Sequence, residues 1–85
     1  MAYQVLLRPA AGRDLARLPS DIGSRLTDVL FALEKDPRPP GITKLTGSAN
    51  LWRVRVGDYR ILFEIDDSAQ TVLVLRIAHR RDAYR

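Results

Sequence analysis

From residue 51 onward the chain alternates apolar and basic positions, and the alternation defines two faces. In Leu51-Trp-Arg-Val-Arg-Val56, an extended strand puts Trp52, Val54 and Val56 on one side and Arg53 and Arg55 on the other. In Tyr59-Arg-Ile-Leu-Phe-Glu-Ile65, Tyr59, Ile61, Phe63 and Ile65 share one side, and Arg60, Leu62 and Glu64 share the other. Gly57-Asp58 separates the two limbs. Glycine takes a positive φ without steric cost and aspartate tolerates one, so a tight hairpin turn is expected there. Closing that hairpin gathers Arg53, Arg55 and Arg60 on one sheet surface, where they repel each other unless something anionic lies over them.

The remaining patterns supply the framework for that hairpin. Tyr3 to Leu7 is a short apolar run ended by Arg8-Pro9 and reads as a first strand. Pro9 suits the first turn of a helix, where a missing N–H costs nothing. From Ala10, the positions Ala11, Leu15 and Leu18 follow helical spacing until Pro19. Ser20 and Asp21 are candidate N-caps for a second helix, whose apolar stripe is Ile22, Leu26, Val29, Leu30 and Leu33. Asp36-Pro37 ends it, because a residue before proline is pushed out of helical geometry. Pro37 to Gly41 is a stiff connector, and residues 42–50 are expected as loop. Asp66 to Gln70 is a polar turn, and Thr71 to Ala78 is a strand apolar enough to be central in a sheet. The expected fold class is α+β: an N-terminal strand and an antiparallel helical hairpin packed on a small, mostly antiparallel β-sheet, in a single domain spanning 1–85.

Charge changes this picture more than composition does. The 85 residues carry a net charge of +4 and a pI near 10.1, with twelve arginines against two lysines. Arginine favours planar, bidentate contacts to phosphate and carboxylate, so a polyanion is the expected partner, either nucleic acid or an acidic protein segment. There is no cysteine, which removes disulfides and thiolate metal ligands from consideration. No run is long and apolar enough to span a bilayer, and the first residues lack a signal-peptide pattern, so a cytoplasmic location and no membrane partner are expected.

The basic residues form two groups. Arg53, Arg55 and Arg60 lie on the hairpin; Arg76, His79, Arg80, Arg81 and Arg85 lie on or beyond the last strand. If that strand pairs beside Tyr59–Ile65, the groups meet, with Tyr84 as an aromatic plane among guanidiniums. Such a set serves single-stranded RNA recognition, in which arginines grip phosphates and a ring stacks on a base. The alternative is a solvated basic edge with Tyr84 packed on the last strand. Asp58, Glu64, Asp66 and Asp67 show no recognised metal-ligand spacing, so no metal or other cofactor is expected. One histidine gives no histidine pair for acid–base work, and no serine sits in a triad signature.

Three blocks then carry a resemblance: Leu45-Thr-Gly47, Trp52-Arg-Val-Arg-Val-Gly-Asp-Tyr-Arg-Ile61, and Ile77-Ala-His-Arg-Arg-Asp-Ala-Tyr-Arg85. Together with Asp14-Leu15 and Leu18-Pro19 in the helical region, they make the chain similar, over nearly its whole length, to the RelE/ParE superfamily of bacterial type II toxins. The resemblance implies a small antiparallel sheet carrying an N-terminal helical hairpin. It further implies a ribosome-dependent, metal-independent endoribonuclease that cuts mRNA in the ribosomal A site by attack of a 2′-hydroxyl on the adjacent phosphate. A partly disordered, RelB-like cognate antitoxin would neutralise it, and operator DNA would be bound through that antitoxin.

Matched by position, the resemblance assigns Arg53 and Arg55 to the basic sites on the first hairpin strand and Arg60 to phosphate stabilisation. Arg80 falls where an arginine stabilises or protonates the leaving group, and Tyr84 where an aromatic stacks on the substrate. Lys44, Arg76, His79, Arg81 and Arg85 are the further candidates for contacting RNA. The mechanistically best understood member has lysine at the position of Arg55 and uses it as the proposed base. With a pKa above ~12, arginine is not a base at neutral pH, so Arg55 is expected to act electrostatically while ribosomal RNA or His79 moves the proton. Arg60 and Arg80 are both expected to be exposed. Two other functions fit the same superfamily: a ParE-type inhibitor of DNA gyrase, and a non-catalytic antitoxin-binding module.

Overall fold

The computed structural model describes residues 2–45, 47 and 50–81. The chain runs β1 (Gln4–Leu7), α1 (Pro9–Ala16), α2 (Ser20–Lys35), β2 (Thr43–Lys44), β3 (Leu51–Val56), β4 (Tyr59–Asp66) and β5 (Thr71–His79). The strands form one sheet in the order β1-β5-β4-β3-β2. Pairing is antiparallel except between β1 and β5, which run parallel from Gln4↔Thr71 to Leu7↔Val74. The sheet is therefore mixed, with β5 central as its apolar run suggested.

The local signals act much as expected. Pro9 occupies the first turn of α1, and Asp36 leaves helical geometry at the end of α2. The expected caps are not formed: Pro19, with extended-like ψ, takes the boundary position of α2, and Ser20 is already inside the helix. Proline at the boundary fixes the entry angle of the chain, so no hydroxyl or carboxylate is placed to cap. Asp21 remains in the first turn, where a negative charge suits the helix dipole. At the hairpin, Gly57 has φ +60 and Asp58 does not share the positive φ, the pattern of a type II′ turn. Residues 42–50 are not all loop, because Thr43 and Lys44 pair with Arg53 and Trp52 to add a short edge strand.

The helices cover one face of the sheet. Ala11 of α1 and Leu26, Leu30 and Leu33 of α2 are buried with Val54, Ile61, Phe63, Ile65, Val72, Val74 and Ile77. Phe63, Leu26 and Leu33 are fully buried. Each contributes about 1.5–3 kcal/mol relative to exposure, which makes this shared core the main source of stability. Between β4 and β5 the register shifts after Leu62: Leu62 faces Arg76 and Phe63 faces Val74, which leaves Leu75 as the extra residue of a bulge.

Candidate functional site

The two-residue turn sets the register of β3 on β4, and the register decides which side chains share a surface. Val54 pairs with Ile61, a buried residue of the helix-covered face. The intervening pairs, Arg53↔Leu62 and Arg55↔Arg60, therefore face away from the helices. On the other flank of β4, Arg60 pairs with Ala78. Arg55, Arg60 and Ala78 thus form one row across three strands, each about 5 Å from the next. Two residues past Ala78, the Arg80 amide donates to the Asp58 carbonyl oxygen at 2.7 Å, so the backbone of Arg80 is held beside the hairpin turn. The last strand does pair with Tyr59–Ile65, and the two basic groups meet at this end of the sheet.

Exposure within the row is uneven. Arg55 and Arg80 are exposed, and Arg53 is half-buried. Arg60, by contrast, is only 7% exposed, which corrects the expectation of a surface residue. It sits on a central strand between β3 and β5, and its Nε and Nη1 are buried together with its aliphatic stem. Ala78, directly opposite, adds no bulk of its own.

Several other candidates are placed elsewhere. His79 pairs with Tyr59 and shares the side of Ile77 and the helices, so it does not stand beside Arg55 as a proton acceptor. Its ring packs edge-on against Tyr59, with centroids 5.2 Å apart, and Nδ1 accepts the Arg81 N–H at 3.2 Å. Arg76 lies at the edge of β5, where its Nε and Nη2 donate to Asp14 at 2.8 and 3.2 Å. Lys44 is at the far end of the sheet, with its ammonium 5.9 Å from the Trp52 ring centroid; Arg38 is 5.4 Å from the same ring. Arg81 is exposed close to Arg80. Tyr84 and Arg85 lie outside the described residues.

Two carboxylates are tuned by this framework. Burial pushes the Asp14 carboxyl up, but hydrogen bonds from Arg76 and the Ile77 N–H, with the nearby charges of Arg76 and Arg17, outweigh it and hold Asp14 below the usual carboxylate range. Asp67 is also held low, chiefly by the Arg38 guanidinium and then by the Tyr3 hydroxyl, which donates to it at 2.7 Å. Sequence patterns gave no sign of either contact, since each joins segments more than 25 residues apart. Sequence reasoning also missed Tyr59 and Arg17, which border an open groove with His79 on the helix side. Tyr59 was assigned only to the apolar side of the hairpin, and Arg17 lay outside both basic groups.

Comparison with known proteins agrees with this architecture. Residues 5–84 match the model of the family described as the ParE toxin of the type II toxin–antitoxin system parDE. A toxin named RelG from Mycobacterium tuberculosis is 37% identical over 86 residues, covering 100% of this chain and 99% of that protein. Among solved structures, the toxin–antitoxin complex RelBE2 from the same organism matches with a TM-score of 0.83 at 34% identity, covering 94% of this chain and 100% of that one. The archaeal RelE–RelB complex from Pyrococcus horikoshii matches with a TM-score of 0.85 at 27% identity, covering 98% of this chain and 100% of that one. The likeness spans the helices, the sheet and the basic end of β5 alike, and the chain belongs to the ParE toxin family of type II toxin–antitoxin systems, within the RelE/ParE superfamily.

Proposed function

We propose that the chain is a ribosome-dependent, metal-independent endoribonuclease that cleaves mRNA in the A site. The observation that carries this reading is the row Arg55–Arg60–Ala78 on the sheet face away from the helices, with Arg53 on the same face and Arg80 pinned beside the turn. Attack of a ribose 2′-oxygen on the adjacent phosphorus forms a cyclic phosphate and breaks the bond to the 5′-oxygen. The transition state is a phosphorane carrying close to two negative charges, and fixed guanidiniums facing it are its natural stabilisers. Arg60, nearly buried, adds positive charge beneath the non-bridging oxygens, while the exposed Arg55 contributes charge at the attacking side. Arg80 supports the leaving 5′-oxygen, and Tyr84 stacks on the substrate base. The proton lost by the 2′-hydroxyl passes to ribosomal RNA or solvent, since a guanidinium does not serve as a base at neutral pH.

A RelB-like antitoxin neutralises the toxin, and the pair binds operator DNA through the antitoxin. Relatives of this fold have been solved as complexes with RelB proteins. Here, among the described residues, Leu7 of β1 and Phe31 of α2 are large apolar side chains left exposed on the same side. Val5, Leu7, Leu15, Leu30 and Phe31 border a groove between those elements, which offers an apolar antitoxin segment a place away from the arginine row.

The test is induction of the lone chain in a bacterial host with mapping of mRNA 5′ ends. Breaks within codons of translated messages, absent with Arg55→Ala or Arg80→Ala, are the expected result. Growth arrest with intact mRNA and DNA-damage signalling would move the chain to gyrase inhibition, the activity suggested by the ParE label of its family model. Harmless overexpression would leave a non-catalytic antitoxin-binding module.

A further inference from the structure

Beyond the Arg55–Arg60 row, Arg17 and Arg81 are left beside the free edge of β5. Arg17, at the C-terminal end of α1, borders a groove of about 440 Å³ together with Leu18, Tyr59 and His79. That groove shares Tyr59 and His79 with a depression of about 560 Å³ bordered by Asp58, Arg80 and Arg81. With both rings in common, the two adjoin as one shallow channel from the end of α1 to the end of β5. Its size suits a nucleotide-sized ligand. Arg17, Arg80 and Arg81 are exposed, whereas among the described residues the acids beside the channel are Asp14, engaged by Arg76 and the Ile77 N–H, and Asp58. The channel therefore carries surplus positive charge.

The rings add a second, different kind of signal. Tyr59 and His79 are both half-buried and meet at an interplanar angle of 87°, so they form a corner instead of a closed stack. Because His79 Nδ1 accepts the Arg81 N–H, the neutral ring carries its proton on Nε2 and presents a donor. A ring face flanked by guanidiniums suits a base flanked by phosphates, because stacking tolerates any base while the arginines follow the backbone. An acidic peptide would engage the guanidiniums and leave the rings unused.

We propose that this channel is a second RNA-contact surface, meeting the cleavage site at Arg80, which seats single-stranded RNA flanking the cut. A base packs in the Tyr59–His79 corner, and Arg17 and Arg81 hold the phosphates on either side. The inference rests on the ribonuclease reading for its choice of ligand, but it is tested separately.

The experiment compares two non-cleavable 2′-O-methyl RNA probes, a trinucleotide that fills only the row and a twelve-nucleotide strand that reaches both surfaces. Binding is followed by fluorescence anisotropy at several salt concentrations. The double variant Arg17→Ala/Arg81→Ala should bind the longer strand about tenfold more weakly, with a salt slope smaller by about 1.4 for two lost phosphate contacts. Arg17→Ala alone, at a residue remote from the row, should weaken the longer strand and leave affinity for the trinucleotide unchanged. His79→Ala should weaken the longer strand about fivefold or more, and His79→Phe, which keeps a ring, should restore it. Equal losses for both probes, or loss for neither, would overturn the proposal. So would unchanged RNA binding combined with lost binding of an acidic peptide, which would make the channel a peptide site. Far-UV circular dichroism of the variants excludes misfolding as the cause. Should these shifts appear while induced cells keep intact mRNA, the nuclease reading fails and the RNA channel stands.

Discussion

Arg55 and Arg60 face each other across a hairpin, yet their surroundings differ enough that equivalent substitutions should behave differently. Arg60 is nearly buried on a central strand, so Arg60→Ala removes packing as well as charge. A loss of about 1–3 kcal/mol is expected in urea unfolding, whereas Arg80→Ala, at an exposed turn, should stay within about 0.5 kcal/mol of the parent. Loss of toxicity in Arg60→Ala alone would therefore not identify a catalytic role, and Arg55→Ala and Arg80→Ala are the cleaner variants. Arg55 also allows a test of where the proton goes. Arg55→Lys introduces an amine whose pKa is lowered by the guanidinium directly opposite. If the 2′-hydroxyl is deprotonated at this position, cleavage should rise about tenfold and gain an ascending limb at alkaline pH. A pH-independent rate at or below the parent's would show that the proton leaves elsewhere.

At the scale of elements, the arginine row depends on how β5 is held beyond the end of β1. The parallel pairing stops at Leu7↔Val74, and Arg8 makes the last contact by donating its N–H to the Val74 carbonyl. From there β5 has an open edge, and α1 closes it by accepting the Ile77 N–H on Asp14 Oδ2 at 2.9 Å. The same carboxylate receives Arg76, so one side chain stands in for a missing strand and fixes the segment that leads to Ala78 and Arg80. Asp14→Ala would strand the Ile77 N–H and should cost about 2 kcal/mol in chemical denaturation. The pH dependence follows from the direction of the shift. The folded Asp14 carboxyl titrates below its unfolded value of about 3.9, so its stabilisation is complete above that value. It is lost as pH falls through the lower folded value. Stability measured from pH 7 down to pH 3 should therefore fall more steeply in the parent than in Asp14→Asn, and parallel curves would contradict the ionised contact.

Across the whole molecule, the apolar and basic surfaces are separated. Leu7 and Phe31 are exposed around β1 and α2, while Arg53, Arg55 and Arg80 lie where β3, β4 and β5 meet near the Gly57 turn. An antitoxin seated on the apolar side can be detached without touching the row. Phe31→Asp, at a residue 63% exposed, should keep toxicity and lose neutralisation, seen as growth arrest that co-expressed antitoxin no longer relieves. Relief equal to the parent's would place the antitoxin on the basic face instead.

The sequence by itself determined what depends on neighbours along the chain. Period-two alternation across Trp52–Ile65 set the two faces of the hairpin, Gly57 set its turn, and Pro9, Pro19 and Pro37 bounded the helices, because each effect acts within a few residues. The likeness to the toxin superfamily was visible for the same reason, since its motifs are short and contiguous. Tertiary structure decided what depends on distant partners. Parallel docking of β1 on β5, the short strand β2 and the extra residue Leu75 all come from pairings that no local pattern encodes. Burial of Arg60 follows from its strand being central, and the register of β5 turns His79 away from Arg55. Alternation tells which residues share a face of one strand, but only the packed sheet fixes how strands are ordered, which charges are covered, and which rings and guanidiniums meet across them.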